Sequence, residues 1–188
     1  AGDRTKAYSV WDDAINKFKS SQMTVRIIAN YVIDRRDFEK AIDYLNLGKE
    51  ITKDPFLYSY DLAELYQITM RYREAANEYC DLINANPAQY QQIESKILSY
   101  SNKPNALDET IEVVKKQRSD NINFSYLLAR LLIEKKSYDE AFDLYKELDS
   151  KENNNGSQLQ SFANFVYRDG AYETALRVYK YILDNIEN

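Results

Sequence analysis

The stretch that decides the fold is residues 62–87, LAELYQITMRYREAANEYCDLINANP. Its apolar residues form two stripes with intervals of three or four, the spacing of one face of an α-helix. The stripes are Leu62, Ala63 and Tyr66, followed by Tyr72, Ala75, Tyr79 and Leu82. Ala63 and Ala75 are small enough to let two helices approach closely, and the rings fill the space around that contact. Pro87 lacks an amide donor and ends the second helix. We therefore predict two helices that pack against each other through small residues.

The second stripe recurs along the chain. An aromatic or large apolar residue stands three positions before a small residue, and a large apolar residue stands four positions after it. The six triads are Trp11-Ala14-Phe18, Phe38-Ala41-Leu45, Tyr72-Ala75-Tyr79, Leu107-Thr110-Val114, Tyr138-Ala141-Tyr145 and Tyr172-Ala175-Tyr179. Their period of about 34 residues is typical of helix-turn-helix repeats. One such unit cannot bury its own apolar face, so we predict an all-α solenoid of stacked antiparallel helix pairs, with about 11 helices.

Acidic residues follow the same period. One lies one or two positions before the small residue of each triad: Asp13, Glu39, Glu74, Glu109, Glu140 and Glu173. In the first turn of a second helix, a carboxylate meets the positive end of the helix dipole, which stabilises the helix by about 0.3–1 kcal/mol. A period found separately in apolar and in charged positions supports the repeat.

Composition excludes several classes of function. The 25 basic and 30 acidic residues give a net charge of −5, which disfavours a nucleic-acid-binding surface. No apolar run is long enough to span a membrane, so we predict no membrane insertion. The chain has no His and one Cys, and its four glycines are isolated, which removes the commonest general base, thiolate metal cages and phosphate loops. We predict that the protein is not an enzyme and binds no cofactor or metal.

Three local features each have a structural and a chemical interpretation. Cys80 is either a small core residue or a reactive thiol. The carboxylate pairs Asp12-Asp13 and Asp34 with Asp37 are assigned to a helix N-terminus and to a turn, and not to acid-base chemistry.

The repeat resembles the tetratricopeptide repeat (TPR). The resemblance rests on Ala-x3-aromatic in the second helices, on Pro87, and on a small residue followed by an apolar one in the first helices. The other first helices read Ile28-Ala29-x2-Val32, Leu128-Ala129-x2-Leu132 and Phe162-Ala163-x2-Val166. Membership would imply a right-handed superhelix that serves in protein–protein interaction.

The chain departs from the family pattern in several places. No Trp opens a repeat, and the position of Pro87 is occupied elsewhere by Lys53, Asn153 and Glu187. The 88–120 unit is degenerate, with Pro104 in its turn. Its signature places hold Leu98, Ser101, Thr110 and Val114. We expect this unit to be helical but less regular than the others.

These features predict a single array over residues 1–188. It would consist of a leading half repeat at 5–20 and repeats at about 22–55, 57–87, 88–120, 121–154 and 157–188, with a flexible turn at 152–156. An array that opens on half a unit and closes without a polar capping helix predicts a fragment of a longer protein whose uncapped ends would allow self-association. The compartment stays open: cytoplasmic, or exported after removal of a signal peptide.

The resemblance also implies a binding surface. In this family, the residue after the small first-helix residue points into a concave groove, as does the residue one turn earlier. The partner-binding candidates are Arg26, Asn30, Tyr60, Glu64, Tyr126, Arg130, Gln160, Asn164 and Tyr167. Asn pairs with a peptide backbone through a donor and an acceptor, and Arg grips a carboxylate through two bonds.

We therefore predict a scaffold that holds a peptide or protein segment in its groove. The alternative is a structural assembly module that packs within a larger protein or complex through its ends or its convex face, with a merely solvated groove.

Overall fold

The computed structural model describes residues 4–18, 21–118 and 121–186, and all regular structure within these ranges is helical. This confirms the all-α prediction. The described helices are α1 (Arg4–Lys17), α2 (Gln22–Ile33), α3 (Phe38–Thr52), α4 (Ser59–Ile68), α5 (Tyr72–Ala85), α6 (Tyr90–Tyr100), α7 (Ala106–Gln117), α8 (Ile122–Glu134), α9 (Tyr138–Glu152), α10 (Ser157–Arg168) and α11 (Tyr172–Asn185). Residues Pro87–Gln89 form a short 3-10 turn after α5.

Similar short turns join the helices of the pairs α2/α3, α4/α5, α8/α9 and α10/α11. Each turn places one residue in the left-handed region, five positions before the small residue of the second helix. These residues are Arg36, Met70, Lys136 and Gly170. The next amide then donates to a carbonyl of the first helix, as in Arg71 N to Tyr66 O at 2.7 Å. Such a turn satisfies the last carbonyls of the first helix and reverses the chain, so the pairs are antiparallel.

Small residues lie where the paired helices touch. The first helices contribute Ala29, Ala63, Ala129 and Ala163, and the second helices contribute Ala41, Ala75, Ala141 and Ala175. Each of the eight is at most 1% exposed. Gly48 has a related role between α3 and the following turn, because a Cβ atom there would lie 2.6 Å from Cε2 of Tyr58. The predicted small-residue contact is confirmed in these four pairs.

The pair α6/α7 is less regular, as predicted. Its first helix carries Leu98 where the other pairs carry Ala, and its second helix carries Thr110. The backbones of α6 and α7 approach less closely than those of the other pairs. Leu98 and Ser101 are only partly buried. Tyr100 is buried, and its hydroxyl lies 3.3 Å from Oγ1 of Thr110.

Two compact units can be distinguished, residues 1–89 and 90–188. The first unit has a core in which Ile15, Val32 and Leu62 are at most 1% exposed. In the second unit, Phe124 and Leu131 are completely buried. The continuous array and its right-handed superhelix stay predictions.

Five of the six periodic acidic residues lie in the first turn of a second helix. They are Glu39, Glu74, Glu109, Glu140 and Glu173. Asp13 does not, because α1 begins at Arg4 and the Asp12-Asp13 pair lies well inside it. The assignment of this pair to a helix N-terminus is wrong. Asp12 instead accepts a hydrogen bond of 2.8 Å from the Tyr44 hydroxyl.

One further expectation needs correction. Phe18 and Tyr172 are 50% and 63% exposed, so the first and last triads are not fully packed. In the turn at 152–156, the amide of Gly156 donates to both carboxylate oxygens of Asp149 at 3.0 Å, and the flexibility of this turn stays a prediction.

Candidate functional site

A cleft of about 360 Å³ opens between α8, α9 and α10 in the second unit. Tyr126, Arg130 and Ile133 line it from α8, where their spacing of four and three residues puts them on one face. Tyr145 lines it from α9. From α10 it is lined by Ser157, Gln158, Ser161, Phe162 and Phe165. Two predicted groove residues, Tyr126 and Arg130, therefore lie in the same cleft.

A hydrogen-bond network fixes one wall of this cleft. Tyr126 donates its hydroxyl proton to Glu152 at the end of α9, and Nε2 of Gln158 donates to the Tyr126 oxygen at 2.6 Å. Burial and the bond to Glu152 raise the pKa of Tyr126, and the same bond lowers the pKa of Glu152. Oε1 of Gln158 is buried and accepts no hydrogen bond from the described residues. The Tyr126 hydroxyl is thus occupied, and Tyr126 lines the cleft.

Arg130 supplies the positive charge of the cleft. Its guanidinium lies 3.2 Å from Oε1 of Glu134, one turn further along α8, and its side chain is 43% exposed. Burial raises the pKa of Tyr145, and the charge of Arg130 opposes that rise. Because an exposed ion pair within one helix is weak, Arg130 is able to exchange Glu134 for another carboxylate at little cost.

Aromatic rings form the apolar part of the cleft. The rings of Tyr145 and Phe162 stack with centroids 4.8 Å apart and planes 24° apart. Phe165 is 40% exposed. The hydroxyl of Ser161 donates to the carbonyl of Ser157 at 3.0 Å, so this short side chain folds back on its own helix. Small residues on α10 therefore leave open space in front of the rings.

In the first unit, an ion pair joins two of the equivalent positions. Arg26 occupies the place of Tyr126, since Ala29 corresponds to Ala129. Its guanidinium donates to Asp61 at 2.9 Å and lies 5.4 Å from the centroid of the Tyr58 ring. Tyr58 and Asp61 correspond to Gln158 and Ser161 of the second unit. α10 has Ser161 where α4 has Asp61, and the Asp61 carboxylate forms an ion pair with Arg26.

The other candidates of the first unit are surface residues of α2 and α4. Asn30 and Glu64 are exposed. The Tyr60 hydroxyl donates to Gln89 at 2.8 Å, and its ring lies edge-on to Tyr79 at 6.3 Å. Tyr60 is therefore oriented by neighbours within its own unit.

The three candidates on α10 do not line the cleft. Gln160 is exposed, Asn164 accepts a 2.7 Å hydrogen bond from the Tyr179 hydroxyl, and the Tyr167 ring lies 5.3 Å from that of Tyr172. They occupy the side of α10 that faces away from α8. A cleft between two first helices is lined by opposite sides of those helices. The sequence rule selects the same side of every first helix, so it found the α8 wall of the cleft and missed the α10 wall.

Among the cleft residues that sequence reasoning missed are Gln158, Ser161 and Phe165 of α10. Their spacings of three and four residues place them on one face of a helix. Shifting the register on the first helix of the neighbouring pair would have found them.

Two other kinds of site are absent from the part of the chain that the structure describes. No group of three or more acidic or Cys residues suited to a metal ion occurs there. None of the helices over 4–18, 21–118 and 121–186 has the length and apolar character needed to cross a membrane.

No protein-family model matches the sequence, and a search of curated proteins finds no match. Among solved structures, the chain is similar to YrrB, described as a TPR protein with an unusual peptide-binding site. The TM-score is 0.42 at 13% identity, over 93% of this chain and 91% of that one. It is also similar to residues 41 to the end of MamA from Desulfovibrio magneticus RS-1, with a TM-score of 0.43 at 13% identity over 87% and 93% of the two chains. The chain's own helix pairs are TPR-like, as predicted. The two similarities concern the fold and say nothing of its ligand.

Proposed function

We propose that this chain is a protein-interaction module and that the cleft between α8, α9 and α10 binds a peptide segment of a partner protein. The observation that carries the proposal is the convergence of Arg130 with the rings of Tyr126, Tyr145 and Phe165 in one open cleft. Aromatic residues and arginine are the residue types that concentrate binding energy in protein interfaces. The proposed function is to bind the partner segment without catalysing a reaction.

The residues of the cleft define the segment that it would accept. Tyr145 and Phe165 offer ring faces for an apolar side chain. Arg130 offers two parallel N–H donors to a carboxylate of the same segment. A short peptide with an acidic residue next to a bulky apolar one satisfies both requirements. Arg26, Asn30, Tyr60 and Glu64 of the first unit are proposed as secondary contacts, because Arg26 must first give up Asp61.

A random peptide library displayed on phage and selected on the immobilised full chain tests this proposal. A selected peptide is then titrated into the double variant Tyr126→Ala/Arg130→Ala. We expect affinity to fall by about 30-fold or more, the loss of a hot spot worth about 2 kcal/mol. The melting temperature should change little, because neither side chain belongs to a packing triad.

The matched control is Tyr31→Ala/Arg35→Ala. It removes the same two residue types at the same spacing from the first unit, where Tyr31 is 53% exposed. The control should bind as the wild type does. Equal affinity of the cleft variant and the control, at equal stability, would refute the cleft as the binding site.

The apolar surface of α11 favours a second candidate function, which is assembly through an exposed helix face.

A further inference from the structure

A second pocket of the second unit, of about 290 Å³, lies between the second helices α7 and α9. Leu128 and Leu132 of α8 and Leu144 of α9 form its apolar floor. Charged residues form its rim, among them Lys115 on α7 and Glu147 on α9. This α7/α9 pocket lies on the side of α8 opposite to the cleft and shares no lining residue with it.

The corresponding place between α9 and α11 is occupied by an aromatic ring of the chain itself. Tyr181 has in α11 the repeat position that Glu147 has in α9, six residues after the small residue. The Tyr181 ring packs edge-on against that of Phe142, with centroids 5.7 Å apart. Nζ of Lys146 lies 5.7 Å from the Tyr181 centroid, within the range of a cation–π contact. The chain thus shows which kind of side chain fits this position of the repeat.

The α7/α9 pocket has equivalent surroundings but no ring at this position. Lys115 corresponds to Lys146, since each stands five residues after the small residue of its helix. The floor is apolar in both places, with Phe162 and Val166 of α10 in the one and the leucines in the other. Glu147 supplies a carboxylate in place of the ring, and it pairs with an arginine of α7. A ring-sized space therefore stays open above the leucines.

Two ion pairs join α7 to α9 at the rim of the pocket. Nζ of Lys115 lies 2.9 Å from Oε2 of Glu140, and Arg118 pairs with Glu147. The four side chains are between 27% and 56% exposed. Exposed pairs of this kind contribute only about 0–1 kcal/mol, so a ligand can rearrange them at little cost.

The rim also offers acceptors for a hydroxyl group. Tyrosine hydroxyls of this chain repeatedly donate to carboxylates of another helix, as in Tyr44 to Asp12 at 2.8 Å and Tyr126 to Glu152. Glu140 and Glu147 present the same acceptor beside the apolar floor. A phenol ring satisfies both the floor and the rim, whereas an unsubstituted ring has no donor for the carboxylates.

We propose that the α7/α9 pocket binds the side chain of a tyrosine on an exposed segment of a partner protein. The ring lies on the leucine floor next to Lys115, as Tyr181 lies next to Lys146, and its hydroxyl donates to a rim carboxylate. A single side chain has few atoms and binds weakly, so the polypeptide that carries it supplies the rest of the affinity. The site does not depend on the function of the cleft.

The probe is N-acetyl-tyrosinamide, and N-acetyl-phenylalaninamide is the analogue without the hydroxyl. Each is titrated into the full chain with ¹³C-labelled leucine methyl groups, and the chemical shifts of Leu128, Leu132 and Leu144 are followed. We expect saturable shifts with a millimolar Kd for the tyrosine probe. The phenylalanine probe should bind about fivefold more weakly, the factor that one net hydrogen bond supplies.

Glu147→Tyr should abolish the shifts, because a ring from within the chain then fills the pocket as Tyr181 fills its neighbour. The matched control is Asp81→Tyr, the same exchange at the same repeat position of the first unit, and it should bind as the wild type does. Tyr126→Ala/Arg130→Ala, which alters the cleft, should also leave the shifts of the three leucines unchanged. Glu140→Leu/Glu147→Leu, a second variant, should remove the preference for the tyrosine probe.

Three results would overturn the proposal. They are the absence of saturable shifts in the wild type, equal affinity for the two probes, and equal binding by Glu147→Tyr and Asp81→Tyr at equal melting temperature. Sedimentation that shows the wild-type chain self-associating and Glu147→Tyr monomeric would also overturn it, because a second copy would then supply the tyrosine.

Discussion

The pairs α4/α5 and α6/α7 follow one repeat register but pack differently. In α4/α5, Ala63 and Ala75 are both completely buried where the helices touch. In α6/α7, the corresponding residues are Leu98 and Thr110, and the helices lie further apart. Asn105 nevertheless has a positive φ five residues before Thr110, as Met70 has before Ala75. The comparison teaches that turn register and close packing are separate properties of this repeat, and that small residues determine the second.

The largest effect is expected where close packing is broken. Ala75→Leu should lower the free energy of unfolding by about 1–3 kcal/mol, because the added side chain has no space between α4 and α5. Ala85→Leu, at the exposed end of the same helix, is the matched control and should be nearly neutral. Urea denaturation followed by circular dichroism measures both. Equal midpoints would show that the small-residue contact does not limit the pair.

The second largest effect is expected at alkaline pH, which should destabilise the pair α4/α5. Burial raises the pKa of the Cys80 thiol to about 12 from its ordinary value of 9.0. The folded state therefore favours the neutral thiol, so its contribution is complete below pH 9 and is lost as pH rises towards 12. We expect a loss of about 1 kcal/mol per pH unit within this window. Cys80→Ala should reduce the slope of stability against pH, measured by denaturation at pH 8 to 10. An unchanged slope would contradict the assignment.

In the pair α6/α7, a hydrogen bond supplies part of the helix contact that small residues supply in the other pairs. Tyr100→Phe should cost about 1 kcal/mol, because it removes the bond to Thr110 and leaves a buried hydroxyl without that partner. Tyr31→Phe, on an exposed residue, is the control. If thermal unfolding gives both variants the same stability, the bond between α6 and α7 contributes nothing.

The smallest effect concerns the shared turn. Met70→Gly should raise stability by about 0.5 kcal/mol, because relief of the left-handed backbone exceeds the entropy that glycine loses on folding. Met70 is 74% exposed, so little contact is lost. Asn105→Gly should gain less, since Asn tolerates this conformation. Asn77→Gly, in an exposed part of α5, should destabilise by about 1 kcal/mol. A loss on Met70→Gly would contradict the turn geometry.

The sequence predicts the helices well because the same residue pattern recurs in each repeat. The 34-residue period gives the helix pairs, and Leu98 and Pro104 mark the irregular pair in advance. Tyr126 and Arg130, which line the cleft, were selected from the groove positions that the TPR resemblance implies. Gln158 and Phe165 were missed because they lie on the opposite side of a neighbouring first helix. The bond from Tyr126 to Glu152 and the bond from Tyr44 to Asp12 join different helices, and no local pattern encodes such pairs.

The correspondence between Arg26 with Asp61 and Tyr126 with Ser161 bears on how such a chain diversifies. Units with the same helix-pair scaffold carry different side chains at corresponding positions. Exchanging Ser161 for Asp, with Arg in place of Tyr126, would introduce into the second unit the ion pair that Arg26 and Asp61 form in the first. Two substitutions would thus change the charge of the cleft while the packing of Ala129 and Ala163 stays the same.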